Sequence, residues 1–173
     1  CHDLPWKPNQ LYQMSFWSRA DAGTSGGCVV SGPVFANDDW GRSTEWTRAR
    51  YVFLSPSTIP ADAYLRVGVW ETRGRVYFDD VELLPTLAIH KRFGDLELGE
   101  GERVEGTSYV FSHPFSGYAN NYARPLAEFT AGYNSSRWVF GPGASVVYKH
   151  TVPGARLTEV KVTLAVNYHT EGT

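Results

Sequence analysis

Apolar and polar residues alternate along a series of short segments, and turn-forming residues separate one segment from the next. The alternation has a period of two, which is the spacing of side chains on one face of a β-strand. No segment carries a sustained helical stripe of apolar residues with capping residues at its ends. The predicted fold class is therefore all-β, with an antiparallel β-sandwich or a barrel of many short strands as its architecture. The predicted strands cover 11–20, 28–30, 47–54, 63–71, 76–83, 108–111, 137–140, 145–150 and 158–168, and Asn37 to Asp39 is predicted to form a turn or loop.

Strand parity separates the aromatic residues into two sets. The set expected in the core alternates within 11–20 and 47–54, and consists of Tyr12, Phe16, Tyr51 and Phe53. The set expected on outward faces or in a loop consists of Trp17, Trp40, Tyr64 and Trp70. Within 63–71 the residues predicted to point inward are Leu65, Val67 and Val69. The strand predicted at 158–168 places on one face Val160, Val162, Leu164, Val166 and Tyr168.

The composition of the chain changes after Pro85. Residues 86–106 are charged and contain glycine, which predicts a linker or an irregular lead-in. We therefore expect a boundary near 85–92, with one domain over 1–85 and a second over 86–173. The alternative is that the two parts pack together into one sandwich. Both ends of the sequence are abrupt, so we expect a piece of a longer protein.

The charge balance narrows the possible partners. Sixteen basic and 18 acidic residues give a net charge of −2 and a pI near 6.2. Such a chain has no general electrostatic attraction to nucleic acid or to an acidic membrane. The apolar stretches are too short for a membrane span.

Cysteine, histidine and serine residues supply no recognisable catalytic motif. Cys1 and Cys28 fit neither a metal motif nor a redox pair. They can form a disulfide in an oxidising compartment, Cys1 can be the acylated first residue of a lipoprotein, or the sequence simply begins there. The five histidines are dispersed without the spacing of a zinc site, and Ser135 and Ser136 lack a nucleophile elbow.

The outward aromatic residues suggest a different chemistry, the binding of sugars. A sugar ring has an apolar face of C–H groups and a rim of hydroxyls, so a flat aromatic ring can stack on the face while planar polar groups bind the rim. Aromatic residues flanked by arginine on one strand face fit this requirement, although large aromatics also fill sandwich cores. The candidate carbohydrate-binding residues are Trp17, Arg19, Trp40, Tyr64, Arg66 and Trp70.

Four segments in a fixed order also carry a family resemblance. They are LYQMSFWSRA at 11–20, WTRARYVF at 46–53, LRVGVW at 65–70 and GRVYFDDVEL at 74–83, of which 77–83 is the most characteristic. In this order and spacing, residues 10–85 resemble the later two-thirds of a jelly-roll carbohydrate-binding module, in the broad group of families four, nine, sixteen and twenty-two. The sequence lacks the opening strands that usually precede the first of these segments.

A second resemblance covers residues 96–173. The segments NYARPL at 121–126 and YNSSRWVF at 133–140 are similar to the opening of a second β-sandwich that accompanies such modules in large secreted bacterial polysaccharide-degrading proteins. This resemblance implies no activity of its own. With the first, it implies a secreted or cell-surface location.

Asp79 and Asp80 are the candidate metal ligands. Adjacent strand residues point to opposite faces, so this pair cannot flank one glycosidic bond unless a bulge intervenes. The resemblance implies a structural calcium site, because aspartates near the last strand hold that ion in the family. Ordinary hydrogen bonding in a turn is the alternative.

Taken together, the sequence predicts a non-catalytic domain that attaches a larger secreted protein to a polysaccharide. A second hypothesis is a piece of a glycoside hydrolase or lyase whose catalytic domain lies outside this chain. A third is a structural or adhesion protein in which the aromatics form the core and strand edges mediate assembly.

Overall fold

The computed structural model of the protein describes residues 4–115 and 118–167. Its regular elements are strands, so the all-β fold class is confirmed. In the described part of the chain, no helix is long and apolar enough to cross a membrane. The strands are β1 Leu11–Ala20, β2 Ser25–Gly32, β3 Asp38–Trp40, β4 Thr47–Leu54, β5 Arg66–Arg73, β6 Val76–Pro85, β7 Lys91–Phe93, β8 Leu96–Leu98, β9 Glu102–Glu105, β10 Ser108–Phe111, β11 Leu126–Phe129, β12 Gly132–Tyr133, β13 Trp138–Val139 and β14 Val146–Tyr148.

Two three-stranded antiparallel sheets form the first half. The β1 sheet has the strand order β4–β1–β6, and the β2 sheet has the order β3–β2–β5. The second half consists of short antiparallel pairs, namely β7–β8, β9–β10, β11–β14 and β12–β13. Gly74 and Arg75 connect β5 to β6, so the chain passes there directly from the β2 sheet to the β1 sheet.

The core lies between the two larger sheets and has an aromatic centre. Met14, Phe16, Tyr51 and Phe53 are fully buried in it, with Tyr12 nearly so, which confirms the core predicted from strand parity. The β2 sheet contributes Val29, and the Tyr51 hydroxyl bonds across the interior to Ser31 of β2 at 3.2 Å. This packing of two antiparallel sheets over one apolar layer is the arrangement of a β-sandwich.

Residues from the second half complete this core. Leu126 and Phe129 belong to the same buried cluster as the aromatic residues of β1 and β4. The side chain of Asn121 accepts a hydrogen bond from the Leu54 N–H at 2.9 Å and donates to the Phe35 and Leu54 carbonyls. The parts of the chain before and after the expected boundary therefore share buried contacts. The domain boundary near 85–92 stays a prediction.

Three segments differ from their predicted structure. The segment 86–106, expected to be a linker or an irregular lead-in, contains β7, β8 and β9. Asp38 and Asp39, expected in a turn or loop, begin the short strand β3 because they pair with β2. The strand predicted at 158–168 is wrong for the residues described there, 158–167, which have no regular secondary structure. Alternation suits a strand, but a strand also needs a hydrogen-bonding neighbour, and none of the described residues provides one.

Candidate functional site

A pocket lies on the outer face of the β2 sheet, and two of the predicted site residues line it. Its volume is about 150 Å³. We call it the Trp70 pocket, and its lining residues are Val30, Asn37, Asp39, Arg66, Trp70 and Asn134. Arg66 and Trp70 were predicted to share a ligand-binding face of their strand, and the structure places both on this pocket.

Strand register explains why a pocket forms here. Val30 on the central strand pairs with Asp39 on one side and with Gly68 on the other. Because Gly68 lies between Arg66 and Trp70 and has no side chain, it leaves a gap in the outer face of β5. A Cβ atom built on Gly68 would meet no heavy atom within 4 Å, which shows that the gap is open.

Trp70 forms one wall of the pocket and is available to a ligand. Its relative exposure is 60%, the highest of the described tryptophans among the exposed large apolar residues. A ring of this size is costly to leave in water, since burying a large aromatic side chain contributes about 1.5–3 kcal/mol. An exposed tryptophan beside a pocket is therefore a candidate platform for an apolar ligand face.

Asn37 organises the polar side of the pocket. Its Oδ1 accepts hydrogen bonds from Nε and Nη2 of Arg66, the former at 3.2 Å. Its Nδ2 donates to Oδ1 of Asn134 at 2.6 Å and to Oδ1 of Asp39 at 3.4 Å. Because Asn37 is 95% buried, with 5% exposure, this network holds the arginine and both neighbouring side chains in fixed positions.

Asn134 reaches the pocket from the second half of the chain. It follows β12 directly, and its N–H donates to the Arg137 carbonyl at 3.0 Å within the turn that leads to β13. The turn is anchored to the sandwich, since the Asn37 N–H donates to the Tyr133 carbonyl and the Ser135 N–H to the Asn37 carbonyl, both at 3.2 Å. The site thus depends on contacts between both halves.

A buried carboxyl supports the pocket from behind. Asp38, next to Asn37, has 8% exposure and accepts hydrogen bonds from the Asp39 N–H at 3.0 Å and from Nδ2 of Asn120 at 3.2 Å. Burial raises the pKa of Asp38 to about 6, and these two hydrogen bonds oppose the rise. Oδ1 of Asn120 is buried without a hydrogen-bond partner in the described residues.

Trp17 and Arg19 lie on the outer face of the other sheet, away from the Trp70 pocket. The Arg19 guanidinium lies 4.9 Å from the ring centroid of Tyr77 and 5.7 Å from that of Trp46, which are cation–π distances. Trp17 is half-buried between Arg48 and Asp79 on the neighbouring strands. Since the two outer faces of a sandwich point in opposite directions, one ligand ring cannot contact both predicted sets.

Trp40 and Tyr64 lie outside the Trp70 pocket. Trp40 packs against the core, with ring centroids 6.3 Å from Phe16 and 5.5 Å from Tyr51, and its indole N–H donates to Oγ of Ser31 at 2.9 Å. Its edge also lines a second pocket of about 250 Å³ beside Arg42 and Arg48. Tyr64 is half-buried just before β5.

Asp79 and Asp80 lie at a bulge of β6. The register between β1 and β6 shifts between Ser15 and Trp17, and Asp80 adopts a φ of 47° there. The Asp80 N–H donates to Oδ1 of Asp79 at 2.9 Å, and both residues are exposed. Among residues 4–115 and 118–167, no group of three or more His, Cys, Asp or Glu side chains is arranged to hold a metal ion.

A separate ionic cluster ties the second half together. The buried Glu102 accepts hydrogen bonds from Arg124, Tyr109 and the Gly99 N–H, and the Arg124 Nε–Glu102 Oε2 distance is 2.6 Å. Burial favours a high pKa for Glu102, but these hydrogen bonds outweigh it and lower the pKa. The Tyr109 hydroxyl also lies 3.1 Å from Nδ1 of His150. This cluster joins β9, β10 and the segment before β11.

Sequence reasoning missed three polar residues of the Trp70 pocket, Asn37, Asp39 and Asn134. Asn37 and Asp39 were assigned to a turn, and only their asparagine and aspartate character could have suggested planar hydrogen-bonding groups. Asn134 is 97 positions from Asn37, so no local pattern relates the two. Cys28, also on β2, is half-buried, whereas Cys1, with which it can form a disulfide, lies outside the described residues.

Comparison with known proteins assigns no family to this chain. No protein-family model matches it, and no curated protein is significantly similar to it in sequence. The structure defines the class of protein, an all-β protein with antiparallel sheets around a sandwich-like core.

Proposed function

We propose that this chain is a non-catalytic carbohydrate-binding protein and that the Trp70 pocket holds one sugar ring of a polysaccharide. The observation that carries the proposal is the exposed Trp70 ring beside a gap rimmed by four planar polar side chains. This combination matches the two faces of a sugar, because C–H groups stack on an indole and hydroxyls bind amides, carboxylates and guanidinium groups.

The size of the pocket favours binding of one sugar ring at a time. Sites for drug-sized ligands usually occupy about 300–1,000 Å³. The Trp70 pocket, at about 150 Å³, suits a single ring whose neighbours in the chain extend into solvent. Binding through one ring is weak and reversible, which suits a protein that attaches to a polymer with many equivalent rings.

The polar groups are already in place before a ligand arrives. Asn37 fixes the Arg66 guanidinium through two N–H groups, and an arginine carries five N–H donors in a planar fork. The remaining donors, with the carboxylate of Asp39 and the amide of Asn134, can bind hydroxyls around the rim. Little reorganisation is then needed on binding, which favours affinity.

Affinity electrophoresis against a panel of soluble and insoluble polysaccharides tests the proposal. We expect at least one polymer to retard the chain. Trp70→Ala should weaken that binding about tenfold, corresponding to the loss of roughly 1.4 kcal/mol of stacking. Trp46→Ala is the matched control, because Trp46 is also exposed but lies at the edge of the other sheet. Retardation that Trp70→Ala leaves unchanged, or no retardation by any polymer, would sink the proposal.

The wider setting of this activity belongs to the same proposal. The resemblance to carbohydrate-binding modules supports a role as an accessory region of a secreted or cell-surface polysaccharide-active protein, bacterial by the same likeness. A catalytic glycoside hydrolase or lyase domain would then lie outside this chain. A reducing-sugar assay on the isolated chain should show no release of sugar, and steady release would replace the binding proposal by an enzymatic one.

Calcium binding at Asp79 and Asp80 is a further part of the proposal. The two residues supply carboxylate oxygens at a bulge, whereas calcium requires six to eight oxygen ligands. Other ligands would have to come from backbone carbonyls, water or residues outside the described ranges. Thermal unfolding with calcium and with a chelator should give different midpoints, and Asp79→Asn should abolish the difference. Equal midpoints would contradict a structural calcium ion.

A further inference from the structure

The outer edge of β6 has no strand beside it in the described part of the chain. β6 pairs with β1 on one side, and the sheet ends there with the order β4–β1–β6. An edge strand presents a row of unpaired N–H and C=O groups, which can accept one more strand. Ten residues, Val76–Pro85, make this a long edge.

Core-facing residues of β6 are exposed along this edge. In register with the buried row of β1, the inward residues of β6 are Val76, Phe78, Val81 and Leu83. Val81 is 50% exposed and the other three are half-buried, whereas Met14 and Phe16 beside them are fully buried. The sandwich is therefore open at β6, where a further strand would cover apolar surface.

The segment 158–167 has the pattern of a strand but no neighbour. Val160, Val162, Leu164 and Val166 alternate with polar residues and are 71%, 72%, 83% and 74% exposed. Every residue from 153 to 167 is exposed. In a strand these four large apolar side chains would share one face, and monomeric proteins usually cover such a surface.

We propose that the segment 158–167 of one copy of this chain pairs with β6 of a second copy as an added antiparallel strand. The register that matches apolar with apolar residues places Val160 opposite Leu83 and Val162 opposite Val81. The bulge at Asp80 shifts the register of β6 against β1 by one residue, and we assume the same shift against the added strand. Leu164 then faces Phe78, and Val166 faces Val76. All four exposed residues of the segment then cover the open side of the core.

Charge supports this register. On the outer face it places Lys161 opposite Glu82, which already contacts Arg48 at 3.6 Å. Thr163 then faces Asp79 and Asn167 faces Arg75, so no two like charges are opposed. The acidic residues of the β6 edge, Asp79, Asp80 and Glu82, disfavour a strand without a matching cation and so select among strands.

The second copy is the occupant because the segment is undocked in its own chain. Within the described residues, no hydrogen bond joins 158–167 to the rest of the protein, although the β6 edge is free. When two copies exchange this segment, the free β6 edge and the apolar side chains of 158–167 are both covered. The exchange is also symmetric, since each copy gives one strand and accepts one.

Light scattering coupled to size-exclusion chromatography tests the proposal on the full chain over a dilution series. We expect a dimer that dissociates on dilution. Lys161→Glu and Glu82→Lys should each raise the dissociation constant about tenfold, and the double variant should restore it, because a cross-strand ion pair is replaced by repulsion and then by the reversed pair. Leu157→Lys is the matched control, because Leu157 is 60% exposed but lies outside the paired register.

Leu164→Lys keeps the test independent of folding. Leu164 is 83% exposed in the monomer, so this change should leave the unfolding of the monomer unaltered while it abolishes the dimer. A chain that stays monomeric at every concentration would overturn the proposal, as would a dimer that none of these variants weakens. Concentration-independent protection of 158–167 from hydrogen exchange in a monomer would also overturn it, because the segment would then dock within its own chain.

Discussion

Asp38 makes the stability of the Trp70 pocket depend on pH, and Asp38→Asn isolates this effect. The carboxyl is buried behind the pocket, and burial raises its pKa from the ordinary 3.8 to about 6. The folded state therefore binds the proton more tightly than the unfolded state does. Its stabilising contribution is complete below pH 3.8 and is lost as the pH rises through about 6.

The magnitude follows from the difference between these two pKa values. Each pKa unit corresponds to about 1.4 kcal/mol, so ionising the buried carboxyl costs the folded state about 3 kcal/mol in full, of which roughly 2.5 kcal/mol falls between pH 4 and pH 8. Asparagine cannot ionise, and its Oδ1 can still accept the Asp39 N–H. In the wild type Nδ2 of Asn120 faces this carboxyl, so the Asn120 amide has to turn over before its Oδ1 can accept a hydrogen bond from the new Nδ2. We expect Asp38→Asn to be about 1–3 kcal/mol more stable than the wild type at pH 8.

Urea denaturation followed by tryptophan fluorescence at a series of pH values measures this effect. The informative quantity is the difference in unfolding free energy between variant and wild type, because other titrating groups cancel in it. That difference should increase from pH 4 to pH 7 and then level off. A difference that is flat with pH would refute the assignment of a raised pKa, and a variant less stable than the wild type at pH 8 would show that hydrogen bonding outweighs desolvation.

Three further predictions concern residues around the core. Glu102→Gln should cost about 2–3 kcal/mol in urea denaturation, somewhat less than a fully buried pair because Arg124 is partly exposed; an unchanged midpoint would contradict this. Burial lowers the pKa of His113 to about 4, so its imidazole should stay neutral at pH 5.5 in a nitrogen-15 NMR titration. A charged ring at pH 5.5 would contradict the lowered pKa. Gly32→Ala should destabilise the fold by about 2–3 kcal/mol. The φ of Gly32 is 100°, and a new Cβ would collide with the Ala36 carbonyl oxygen. Gly41→Ala is the matched control, because the space around Gly41 is open.

The fold was predictable where one strand carries its own signal. β1 and β4 were predicted with the bounds that the structure has, because alternation of period two fixes which face of a strand is buried. The same pattern at 158–167 did not give a strand. Alternation describes the surface of a segment, whereas a strand also depends on which segments lie beside it.

The candidate site was predictable only in part, for the same physical reason. Arg66 and Trp70 share one strand face, so parity alone placed them together. Asn37 and Asn134 meet through an isolated bridge between distant parts of the chain, and no periodicity reports such a contact. The open gap at Gly68 also depends on its neighbours, because a glycine in a strand leaves a pocket only where adjacent strands rim it.

The claim that a sugar ring occupies the Trp70 pocket is tested by mapping chemical-shift changes in NMR spectra. An oligosaccharide from a polymer that binds the chain would be titrated into labelled protein. We predict that the largest changes fall on the indole N–H of Trp70, the side-chain amides of Asn37 and Asn134 and the Nε–H of Arg66. Filling the gap by Gly68→Leu should abolish those changes while the rest of the spectrum is preserved. Changes centred on Trp17 and Arg19, on the opposite sheet, would contradict the claim.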